Sequence, residues 1–310
     1  MRVVKPVIID EADLTSNVAI DDFTEWASGT TYAEGDKVRI SSELGTWESL
    51  ANSNTGNNPM TTDNRVSESP SWLYLGRVNR WKMFDEYLQS QTENAEEIDV
   101  TIAAQQISDS LVLMEVEAFE VEVTVTHAVE GIVYNETYAM ADYLVDDYYE
   151  YFFEPYLEFS DLKVVDMMSD LALPPYDEVD IRVQIREDGA TVKCGKLVLG
   201  YGFDIGQTKY GPRLSIIDYS KKITDEFGRT YMSVGAFARR SQIDLHVKND
   251  RVDWLYRRLA DLRAQPLVWI GDPRDGGFSS MSVYGFYRDF EIIIPGPAIS
   301  SCSLEIEGMI

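Results

Sequence analysis

Apolar and polar residues alternate most cleanly in AFEVEVTVTH (residues 118–127). Phe119, Val121, Val123 and Val125 fall on one side and Glu120, Glu122, Thr124 and Thr126 on the other. A period of two is that of a half-buried antiparallel strand. Gly131 then turns the chain into IVYNETYAM, a partner strand. EVDIRVQI repeats the pattern, with Val179, Ile181, Val183 and Ile185 inward and Asp180, Arg182, Gln184 and Arg186 outward. The EDG at 187–189 predicts the next turn, and TVKCGKLVLGYGFDIG one more strand. Short strands separated by regular turns predict a β-sandwich or jelly roll over residues 76–205.

The period changes in KNDRVDWLYRRLADLRAQP, which predicts a helix. Val252, Leu255, Leu259 and Leu262 share a face, Asn249 or Asp250 is placed to cap the start, and Pro266 stops it. With the strands PLVWIG, MSVYGFY, DFEIIIP and SSCSLEIEG around it, residues 206–310 read as an α+β unit serving assembly. In residues 21–75, KVRI and TWESLA are short strands, EGD is a turn at Gly35, NSNTGNNPMTTDN is a polar loop and SPSWLYLG closes the unit. A core this small needs its aromatics to stay folded. Residues 1–20 lack a period and read as an extended arm or linker, of a kind able to pack on a neighbouring subunit. The predicted fold is mainly β: an arm, a small β module, a sandwich and an α+β unit with one clear helix, with no internal repeat.

Composition narrows the class. The 310 residues, 45% hydrophobic and 26% charged, describe a globular chain of two or three domains. No apolar run is long enough for a membrane helix, so no membrane insertion is expected. MRVVKPVIIDEAD does not read as a signal peptide, so use without classical secretion is expected. Cys194 and Cys302 read as two buried thiols in a reducing compartment, with a disulfide between them as the alternative. Net charge is −26, with no Lys or Arg between Lys82 and Lys163. Such a surface repels polyanions, so nucleic acid is not an expected partner. It reads as a solvated acidic face, or one suited to calcium or a basic neighbour.

The chemical inventory is thin. His127 and His246 have neither a second histidine nor a cysteine at ligand spacing. No nucleophile elbow, Walker loop or dinucleotide fingerprint is present. GYGFDIG (residues 200–206) reads as a strand and turn, since no helix follows it. The expectation is therefore no enzyme, no cofactor and no metal, with a paired-carboxylate cell-wall glycosidase as an alternative that the abundant acids leave open. ADYLVDDYYEYFFEPYLEFSD (residues 141–161) interleaves aromatics with acids. It reads as packing or subunit contact, with calcium ligation by Asp146, Asp147 and Glu150 as the alternative. Asn135-Glu136-Thr137 is a glycosylation sequon without a secretory signal beside it.

Trp26, Tyr32, Gly35, Asp36, Val38, Trp47, Pro59 and Trp72 fall in the order seen in the small chitin-binding module of bacterial chitinases, which residues 25–75 resemble. The resemblance implies Trp26, Tyr32, Trp47 and Trp72 as the module's aromatic framework and as candidate carbohydrate-binding residues. In that family an adjacent pair of exposed aromatics stacks on the sugar. Here WESLANSN places Ala51 and Asn52 there.

NRWKMFD, EGIVYNETY, YYEYFFEP, GQTKYGPRLSIIDYSKK, RLADLRAQPLVWIGD and VYGFYRDFEIIIP with CSLEIEG carry a second resemblance, to a family of tailed-bacteriophage virion proteins. It implies a structural component of the tail, tail tip or baseplate, assembled in the host cytoplasm. The implied partners are other virion proteins and further copies of the chain in a symmetric assembly. The alternative reading is an adhesin that binds host-surface glycan.

Overall fold

The structure, a computed structural model, describes residues 1–20, 22–66, 68–142, 163–164, 167–172, 178–224, 227–274 and 278–309. Asp146, Asp147 and Glu150, with nearly all of the aromatic and acidic segment around them, lie outside the described residues. The chain is mainly β, with large antiparallel sheets and one clear helix.

Fourteen strands form one connected sheet. Its order runs from Gly131–Ala139 at one end through Glu120–His127, Val179–Asp204, Arg2–Pro6, Leu267–Ile270, Ser282–Ile293 and Ile299–Gly308 to Phe237–Lys248. Phe237–Lys248 carries Gln207–Thr208 and Arg213–Asp218 on its outer side. Thr92–Ala104 and Ser110–Glu117 branch from the long strand Val179–Asp204.

The alternating runs bury the residues their period selects. Val121, Val123, Val125, Val179, Ile181, Val183 and Ile185 all enter one core. Three details differ from the pattern. Phe119 is exposed, while its neighbour Ala118 enters the core just before the strand at Glu120. Gln184 is buried on the polar face, where its amide donates to Glu97 Oε1 at 2.9 Å. The EDG at 187–189 does not reverse the chain. Arg186 faces Glu97 and Thr191 faces Ala95 on the same partner strand, so the extra residues form a wide bulge. Gly189 takes φ +75° there, and Glu96 opposite takes φ +63°.

The first residues are not a free arm. Arg2–Pro6 pairs with residues 200–204 of the long strand on one side and with Leu267–Ile270 on the other. It joins the middle and C-terminal units into one sheet. Both its faces are buried: Val3 enters the C-terminal core, and Val4 enters a seam with Leu88, Val112, Met114, Val198, Val268, Ile270 and Tyr284. Strands covered on both faces read as continuous apolar runs. That explains VV at the start, LVLM at 111–114, LVL at 197–199 and LVWI at 267–270. In LVL, Leu197 and Leu199 face the middle core while Val198 faces the seam.

The helix Val252–Asp261 packs Leu255 and Leu259 into the C-terminal core, with Leu262 just beyond its end. A 3-10 turn, Asn249–Arg251, precedes it, and no side chain caps its N-terminus. The Asn249 side chain instead donates to Gly296 O at 2.8 Å and accepts from Ser300 Oγ at 2.6 Å. The helix ends before Pro266 is reached, and Ala264 takes φ +56° in the exit turn.

Candidate functional site

In the small module, Thr24–Glu25, Lys37–Ile40, Gly45–Ser49 and Trp72–Arg77 form a four-stranded sheet, and Thr31–Tyr32 pairs with Asn54–Thr55 beside it. The EGD turn works through Asp36: its carboxylate accepts the Ala33 N–H at 2.7 Å, while Gly35 takes φ +89°. Trp47, Trp72 and Tyr32 retain only 2%, 1% and 6% of their surface. They pack with Val38 and Ile40, and the rings of Tyr32 and Trp72 meet edge to face at 5.3 Å. Trp72 Nε1 donates to Asn57 O at 2.8 Å. Trp26 is half-buried against the same cluster. The four candidate residues are thus brought together as a core, and three of them present no face to a sugar.

Ala51 and Asn52 are exposed where the chitin-binding pattern has its stacking pair. Asn52 Oδ1 accepts the Glu34 N–H at 3.2 Å, so that position serves the turn. The module's apolar surface lies elsewhere. Leu73, Tyr74 and Leu75 are exposed in succession on the edge strand Trp72–Arg77, with Tyr74 tilted over Trp47 at 5.4 Å.

Exposed large hydrophobic side chains are concentrated between positions 214 and 237. Nine of the 28 exposed large hydrophobic side chains among the described residues fall there, including Ile216 at 63%, Met232 at 62% and Val234 at 89%. Arg213–Asp218 pairs only with Phe237–Lys248 among the described strands, and Lys221–Thr224 pairs only with Thr230–Ser233. Every residue of that second pair is exposed. These segments form a hairpin arm off the sheet edge. The arm's one signal in the sequence is KKIT and TYMS flanking Gly228, which takes φ +80° as in a hairpin.

A cleft of about 760 Å³ opens at the arm's base. Lys209, His246, Lys248, Arg251 and Arg274 line it together with Asp204, Asp272 and an apolar floor that includes Ile205, Val247 and Met281. Arg274 grips Asp272 with two bonds of 2.6 Å and holds that carboxyl below its ordinary range. Lys209 Nζ donates to Ser301 Oγ at 2.5 Å. Among the described residues the cleft assembles no nucleophile with a base.

The remaining reactive groups are held in structural roles. His127 Nδ1 accepts the Glu130 N–H at 3.3 Å across the hairpin turn. Cys194 and Cys302 are free and buried, and burial pushes their thiols up to about 12 and about 11. Among the described residues no group of three or more His, Cys, Asp or Glu is placed to hold a metal ion. No model of a known protein family matches this chain, and no curated protein matches it.

Proposed function

We propose that this chain is a structural component of a bacteriophage virion, in the tail or at the tail tip or baseplate, and that it acts through assembly contacts. The observation that carries this reading is the hairpin arm at 213–237, which exposes apolar side chains on both faces. A two-stranded hairpin is marginal alone in water, and an apolar surface of this kind is characteristic of an interaction site. The resemblance of its motifs to those of phage virion proteins suggests the setting, and GQTKYGPRLSIIDYSKK runs directly into the arm. Other virion proteins and further copies of the chain are the partners on this reading. The test is mass spectrometry of purified particles from a phage carrying this chain, followed by a density map. Stoichiometric presence in the particle, with the arm seated on a neighbouring subunit, is expected. Presence in infected-cell extract together with absence from purified particles would overturn it.

A further inference from the structure

Two edge regions of the fourteen-stranded sheet lie at opposite ends of its longest strand path, and they differ in charge. At one end is the hairpin of Glu120–His127 and Gly131–Ala139. Residues 118–140 contain four glutamates and no Lys or Arg. Arg186 reaches Glu120 at 3.3 Å and Glu122 at 2.7 Å, while Glu130 and Glu136 remain exposed. Val129 and Ile132 are exposed beside them. Among the described residues, nothing pairs with the outer side of Gly131–Ala139.

At the other end is the arm. Its sequence carries Arg213, Lys221, Lys222 and Arg229 against Asp218, Asp225 and Glu226, a slight basic excess, and the adjacent lysines lie on the separate two-stranded sheet of Lys221–Thr224 with Thr230–Ser233. Lys221 and Lys222 are adjacent and exposed, with Tyr231 and Met232 exposed on the paired strand. The same polarity holds for the units behind the edges. Residues 76–205 contain 28 acidic and 8 basic side chains, and residues 206–310 contain 13 acidic and 14 basic.

A strand edge left open invites another chain, and apolar side chains flanked by charge favour a partner of opposite charge. Contact between two acidic edges of identical copies would be repulsive, whereas contact between unlike edges is attractive. We infer that the arm of one copy docks on the acidic edge hairpin of a second copy, head to tail. Such an interface is heterologous, and it generates a ring where the rotation closes. The inference deepens the assembly reading by naming the partner, but its test needs no virion.

The experiment is a charge swap read by light scattering on the full chain. The wild type is expected to form oligomers in ~50 mM salt and to dissociate in ~500 mM salt, where exposed charges are screened. Lys221→Glu with Lys222→Glu is expected to yield a folded monomer, and so is Glu130→Lys with Glu136→Lys. Mixing the two variants is expected to restore the oligomer, because each copy then offers the edge the other needs. An unchanged circular dichroism spectrum and unfolding midpoint check that both variants fold. A monomeric wild type at low salt would overturn the inference. So would oligomers that survive either double change, a mixture that stays monomeric, or a salt-insensitive dimer that self-pairs through Arg213–Asp218. A chain absent from virions that nevertheless passes the swap keeps this inference and loses the virion reading. A chain present in virions that fails the swap does the reverse.

Discussion

Trp72 and Tyr74 are two residues apart on one strand, yet the fold assigns them opposite roles. Trp72 is buried in the module core, and Tyr74 is nearly half exposed. Truncating a buried tryptophan removes its transfer energy and leaves a cavity, together costing about 3–5 kcal/mol. Trp72→Ala should therefore abolish the module's denaturant-resistant tryptophan fluorescence, while Tyr74→Ala should shift its midpoint only slightly. If Tyr74→Ala proved the more damaging of the two, Trp72 would not be the module's core.

Lys196 gives a pH test at the same scale. It sits in the seam, 4.7 Å above the Tyr284 ring and almost wholly buried. Burial pushes its ammonium down to about 8 from 10.5, with Asp85 and Glu86 opposing the shift. Burial penalises the charged form, so below pH 8 the native state bears the full cost. Between pH 8 and 10.5 the native amine has lost its proton while the unfolded chain keeps it. Stability contributed by this residue therefore rises with pH across that window. Relative to Lys196→Met, the wild type should gain roughly 3 kcal/mol in urea unfolding between those limits. Because Tyr284 and Asp85 are common to both proteins, much of their titration cancels in the difference. A flat difference would place the ammonium in water.

At the scale of elements, the seam strand decides how the units are joined. A Cβ on Gly200 would lie 2.1 Å from the Lys5 carbonyl oxygen, a clash with backbone that no rotamer relieves. Gly200→Ala should thus displace Arg2–Pro6 from the long strand. The expected signs are a lower midpoint in calorimetry and faster hydrogen exchange at residues 2–5 and 268–270. Gly189→Ala, at a bulge with open space around it, should cost far less, limited to its positive φ. Equal effects from the two changes would mean that the seam contributes little to stability.

Periods of two in 120–127 and 179–186 make their strands legible in the amino-acid sequence. The leucine spacing of 255, 259 and 262 does the same for the helix. Runs buried on both faces are legible as strands, but their partners are not. Nothing in RVVKP shows that its edges meet residues 200–204 and 267–270, because pairing is a property of two distant segments at once. The same limit applies to EDG at 187–189. A turn and a bulge use the same residues, and only the partner's register distinguishes them. In the module, aromatic spacing identifies the cluster, but spacing alone does not say which ring faces are covered.

For the whole molecule, charge is the dominant long-range term. A net charge of −26 concentrated in residues 76–205 repels itself in the compact state. Adding salt should stabilise the protein when it is held monomeric. The Lys221→Glu, Lys222→Glu variant is expected to unfold at a higher temperature in ~300 mM than in ~10 mM sodium chloride. A midpoint that falls with salt would mean that local ion pairs, such as Arg182 with Asp99 at 2.6 Å, outweigh the global repulsion.

Sequence by itself determined the β class, the helix, the aromatic cluster of the module and the strongly acidic character. Each depends on local periodicity or on simple addition of residues. Tertiary structure alone decided that Trp47 and Trp72 are core, that the first strand is a seam, and that residues 213–224 and 227–237 form an arm. Those outcomes depend on which distant surfaces cover one another. An apolar side chain in a strand reads the same whether the fold buries it or leaves it for another subunit.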